Sequence, residues 1–100
     1  MTPIDVLIKT TEILHSAIQA EDKDKAFEAV TILLMQIFEF FGFVEGTIEI
    51  MFPFLEQLKD KIEAENYRDA ERDAFVLLTK FRTIRQSAGR KRKTAARLNS

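Results

Sequence analysis

Apolar residues recur along most of this chain at spacings of three and four, the period of an amphipathic helix, and three breaks divide the pattern into four segments. In the first, Ile4, Leu7, Ile8, Leu14, Ala17 and Ile18 predict a helix over residues 3–20. Thr2 can cap it, Pro3 suits its first position, and Asp5 faces the positive end of its dipole. The break Glu21-Asp22-Lys23-Asp24 offers Asp22 as the cap of a second helix over residues 23–41. So short a connection makes the two helices antiparallel neighbours.

The second segment is the most apolar. From Ala26 to Val44, 14 of 19 residues are apolar, and Glu28, Thr31, Gln36 and Glu39 leave only a narrow wet stripe. A helix on the surface of a small domain normally buries one face. This one has more to bury, so either it is central or its extra face meets another molecule. Gly42 and Gly46 then mark a stop and a link, with Thr47 as the expected cap of a third helix reaching about Ala64. Pro53 removes one helical hydrogen bond, so either the helix kinks near Phe52 or it begins there with Thr47 to Met51 as a separate turn; the kinked helix is the expectation, because the 44-residue offset aligns Thr47 with Pro3. Asn66 repeats the polar break. Beyond it, Ala70, Ala74, Leu77, Leu78, Phe81 and Ile84 form the expected buried face of a fourth helix ending at Ser87-Ala88-Gly89.

The second half echoes the first. Shifting Leu14–Ile37 by 44 positions onto Leu58–Phe81 gives seven identities in 24 positions, including Leu14/Leu58, Ile18/Ile62, Ala26/Ala70 and Leu33/Leu77. They fall on apolar helix positions and on the polar break, where a helical hairpin is most constrained. The predicted fold is therefore all-α: an antiparallel four-helix bundle of two tandem hairpins over residues 1–88, followed by a flexible basic tail over 89–100.

Charge changes this picture more than composition does. The chain has 100 residues and a net charge of −1, but residues 1–81 hold all 16 acids and eight bases, a balance of −8. Residues 82–100 hold seven bases and no acid. An acidic body thus carries a basic end. The absence of Cys removes disulfides and thiolate chemistry and fits a reducing compartment. No uncharged run is long enough to span a bilayer, and no secretory signal pattern opens the chain. A cytoplasmic protein is expected.

Candidate chemistry is thin. Glu12 and His15 stand three apart, half of a carboxylate-bridged di-metal constellation. The repeat places the other half at Glu56 and Lys59, and a protonated lysine binds no metal. Ser16, Ser87 and Ser100 have no His–acid partners, and no glycine-rich phosphate loop exists. The expectation is no enzyme, no metal and no cofactor.

What remains is binding. The candidate protein interface is Phe38, Phe41, Phe43, Val44, Ile48, Met51 and Phe52, around the link between the hairpins. The expected function is a non-enzymatic protein–protein interaction module, an adaptor or chaperone-like bundle that forms homodimers through the second-helix region. In size, acidity and lack of catalytic residues it resembles the small helical chaperones of bacterial secretion and flagellar export, a likeness of architecture carried by no motif. The alternative is a nucleic-acid-associated accessory protein, with Arg90, Lys91, Arg92, Lys93 and Arg97 making nonspecific contacts. A tail that leans on the acidic body is the competing reading of the same residues.

Overall fold

The computed structural model describes the backbone of residues 2–42 and 44–98, and the side chains of 2–42 and 44–87. It contains four helices and, among the described residues, no strand: α1 (Pro3–Gln19), α2 (Lys23–Phe41), α3 (Thr47–Glu63) and α4 (Tyr67–Leu98). The predicted boundaries agree to within a residue or so, except at the end of α4.

Local chemistry explains most of the boundaries. At the start of α1, Thr2 and Asp5 form a capping box: the Asp5 N–H donates to Thr2 Oγ1 (3.3 Å), and the Thr2 N–H donates to Asp5 Oδ2 (3.2 Å). Asp22 caps α2 by accepting from the Lys25 N–H at 3.2 Å. The expected cap of α3 needs correcting. Gly46, in the left-handed region at φ +86, precedes the helix and makes no side-chain cap bond, while Thr47 is already its first helical residue. Reversing the chain in so few residues requires a positive φ there, which glycine adopts without steric cost. A Cβ at Gly46 would meet nothing within 4 Å. Gly46→Ala should therefore cost about 1–2 kcal/mol from backbone strain alone, measurable by denaturant unfolding; a neutral result would show that the link relaxes. At Gly42, by contrast, a methyl would run into the carbonyl oxygen of Phe38.

The turns between α1 and α2 and between α3 and α4 share one hydrogen-bond pattern. After α1, Asp22 N–H donates to the Ala17 carbonyl (2.9 Å) and Glu21 N–H to that of Ile18 (3.0 Å). After α3, Asn66 N–H donates to the Lys61 carbonyl (2.8 Å) and Glu65 N–H to that of Ile62 (3.0 Å). Each is a Schellman termination, and each residue lies 44 positions from its counterpart. Glu21 (φ 54) and Glu65 (φ 60) take the left-handed position usually given to glycine. No glycine signalled either turn.

α1 packs against α2 and α4, and α3 packs against the same two, so the helices form a ring. Neighbours run antiparallel. Asp5 at the start of α1 meets Arg85 late in α4 (3.3 Å), while Gln19 at the end of α1 meets Glu71 early in α4 (3.3 Å). All four helices supply one core, built on Leu7, Leu14, Ile18, Leu33, Ile37, Leu55, Leu58, Ile62 and Leu77, each almost wholly buried. Thr11 joins them with no exposure, because its hydroxyl donates to the Leu7 carbonyl (2.7 Å) inside its own helix. It occupies the position 44 before Leu55. Ile84 departs from expectation: it is 54% exposed, because α4 has by then reached the end of the ring.

The four-helix fold is thus seen, and one expectation about continuity changes. α3 runs as one helix through Pro53, as expected. Seven residues into the helix, proline forfeits one bond to Glu49, which the surrounding turns outweigh. α4 does not stop at Ser87-Ala88-Gly89 but continues to Leu98. One glycine costs a helix only about 1 kcal/mol, and the Arg, Lys and Ala residues around it favour helix strongly. The backbone of 89–98 is therefore helical where an irregular tail was expected.

The Asp5 carboxyl is held below its ordinary value of 3.8. The chief cause is its hydrogen bond with the Thr2 hydroxyl (2.7 Å), followed by the Thr2 backbone bond, with Arg85 adding to both. A carboxyl lowered in the folded state stabilises it above the unfolded value, and that contribution fades as pH falls through the folded value. Asp5→Asn should lower the thermal midpoint at neutral pH, and the difference should shrink as the pH falls through the titration of the folded carboxyl. A pH-independent difference would remove the charge from this account.

Candidate interaction surface

The three residues of α3 that are fully buried, Leu55, Leu58 and Ile62, all lie in its second half. The first half therefore rides at the rim of the ring, and open apolar clefts flank it. One, of about 310 Å³, lies where the start of α1, the end of α2, the start of α3 and the later part of α4 converge. Ile4, Leu7, Ile37, Phe41, Met51 and Phe81 line it, and Ile50 and Ile84 stand at it largely exposed. A second, between α2 and α3, is bounded by Leu34, Met35, Phe38, Glu39 and Phe52. A smaller third, of about 80 Å³, separates Ile50, Met51 and Phe54 from Leu77 and Lys80 of α4.

The seven predicted interface residues divide among these features. Phe38, 64% exposed, and half-buried Phe52 share the α2–α3 cleft. Phe41 and Met51 are half-buried, pack against the core and line the end cleft. Val44 is exposed in the link and Ile48 is half-buried on α3. Phe43 lies outside the described residues. The pattern reading missed Met35 (66% exposed) and Ile50 (72% exposed), the most exposed large apolar side chains described. Met35 and Phe38, three residues apart on α2, form the outward stripe that its surplus of apolar residues implied. Ile50 was hidden by its place in an unbroken run of Ile, Met and Phe.

Other candidates resolve into contacts between helices. His15 Nε2 sits 3.7 Å from Glu71 of α4, and its ring stands 6.2 Å from that of Phe75. Glu12 points instead toward Arg82, at 4.0 Å. Lys59, the counterpart of His15, lies 5.2 Å from the Phe27 ring, and Phe27 is the counterpart of Glu71. The same two helical positions thus meet in both halves with different chemistry. Among the described residues, no three His, Asp or Glu side chains gather as metal ligands. Nor is any described helix long and apolar enough to cross a membrane. The five basic residues Arg90, Lys91, Arg92, Lys93 and Arg97 have helical backbone, but their side chains lie outside the described residues.

These features define a four-helix protein with an apolar rim around the first half of one helix. Compared with protein-family models, curated proteins and solved structures, the chain matches none.

Proposed function

We propose that this chain is a non-enzymatic protein–protein interaction module that forms homodimers through the rim of α2 and α3. The observation that supports this most is the exposure of Met35 and Phe38 beside the cleft they share with Leu34 and Phe52. A ridge of exposed Met and Phe beside an apolar slot is self-complementary: a two-fold axis places each copy's ridge in the other's slot. Met adapts to such a slot, and aromatics supply most of the contact energy. Light scattering should give twice the chain mass of 11.6 kDa; a monomer at tens of micromolar would end the dimer reading.

In this reading the two hairpins are a tandem repeat that has diverged. The shared Schellman turns and the matched His15–Glu71 and Lys59–Phe27 contacts support it. The cytoplasm is the compartment proposed, on the absence of Cys.

A further inference from the structure

The strongest unexplained feature is the length of α4. Its 32 residues span about 48 Å at 1.5 Å each, against about 26–29 Å for the 17 to 19 residues of the other helices. The longest dimension of the molecule, 54 Å, accommodates it only along one axis. α4 leaves the ring where Arg85 pairs with Asp5, in the first turn of α1. Thirteen further residues, about 20 Å of helix, then extend past the body. That segment holds Arg90, Lys91, Arg92, Lys93 and Arg97 and no acid. Arg82 and Arg85, still alongside the ring, already face Glu12 and Asp5.

While Glu45 shares the end cleft with Ile84, one group of acids stands at the other end. Both hairpin turns lie there, and Glu65, Glu21, Asp22 and Asp24 act together on the Tyr67 phenol, whose pKa is raised first by burial and then by these charges. A continuous helix carries the basic segment away from these acids and cannot fold back onto them.

We infer that the projecting end of α4 is a binding site for the phosphate backbone of duplex DNA. Arg90, Lys93 and Arg97 fall at i, i+3 and i+7, the spacing of one helix face, and an α-helix fits the major groove of B-form DNA. Residues 82–100 contain no aromatic on which single-stranded bases would stack. With no acid between residues 82 and 100, this segment is where a polyanion meets the least repulsion. Binding is nonspecific and driven by counterion release.

The test is fluorescence anisotropy of a labelled random-sequence duplex with the full chain. With the three cations of that face engaged, log affinity should fall against log salt with a slope near −2.7, roughly 40-fold between about 50 and 200 mM salt. Lys93→Gln should make that slope shallower by about 1. Replacing all five by Gln should abolish binding while circular dichroism shows the helices retained. No binding at about 50 mM salt, or binding that survives the five-fold replacement, overturns the assignment. So does tighter binding to phosphatidylserine vesicles than to the duplex. A salt-sensitive self-association that the five-fold replacement removes would place the segment on a second copy instead, and equally overturn it.

Discussion

Replacing Leu58 by Ala should lower the stability of the fold by about 2–5 kcal/mol, the range for a leucine truncated in a core that cannot fully collapse. Leu58 has no exposure, and it stands between Leu55 and Ile62 in the only fully buried row that α3 contributes. α1 holds on with seven buried residues. For a small domain the whole margin is about 5–15 kcal/mol, so this one change removes a large part of it. Denaturant unfolding should show an earlier midpoint. An unchanged slope would mean that α3 unfolds with the rest, whereas a shallower one would mean that α3 has already come away. A loss below about 1 kcal/mol would show that the half-buried aromatics of α3, and not this row, hold it in place. Leu14→Ala, at the matching position of α1, is the natural comparison, because the removed side chain is the same and only the number of supporting neighbours differs.

Phe38→Glu should convert the proposed dimer to a monomer and leave the fold intact. Phe38 is 64% exposed, so a carboxylate there remains hydrated in the isolated chain, and a surface change of this kind usually alters stability by no more than about 0.5 kcal/mol. In a two-fold interface each substitution acts twice. If one aromatic anchor contributes about 2 kcal/mol, the pair amounts to about 4 kcal/mol, or roughly a thousandfold in dissociation constant. Light scattering should then report 11.6 kDa at concentrations where the parent chain gives twice that, with the same thermal midpoint once dimer dissociation is allowed for. Phe41→Glu is not an equivalent probe, because Phe41 packs against the core and its loss would disturb folding as well as association. A variant that stays dimeric would move the interface away from this rim.

The exposed rim and the projecting helix make separate claims, since they use different elements and different forces. The rim is apolar, and contacts there should respond weakly to salt. The end of α4 is charged, and its contacts should weaken steeply as salt rises. The Phe38 and five-fold Gln variants therefore test the two proposals separately.

The helices and their boundaries were legible in the sequence because they follow from near-neighbour rules. A 3.6-residue apolar period, the caps Thr2 and Asp22 and the break at Asn66 act within a few residues, so reading along the chain finds them. The 44-residue offset carried more than local information: it paired His15 with Lys59 and Phe27 with Glu71, positions that meet in each half as His15–Glu71 and Lys59–Phe27. What the sequence left unresolved was backbone detail without a marker residue. Glu21 and Glu65 take left-handed conformations normally announced by glycine, and α4 passes through Gly89 because its neighbours favour helix.

Which apolar residues remain outside could be decided only in three dimensions. The pattern along α2 contains more apolar positions than one face can bury, but periodicity alone does not say whether Met35 and Phe38 or Leu33 and Ile37 turn inward. The ring settles it: α1 and α3 occupy two sides of α2, so Leu33 and Ile37 are buried and Met35 and Phe38 face out. Likewise, the sequence determined that the charges separate along the chain, with a body of −8 followed by seven bases without an acid. That the basic stretch stands out beyond the ring was decided by the fold. The three other helices end where α4 has run little more than half its length, and a helix, stiffened by its own hydrogen bonds, carries the remainder straight on.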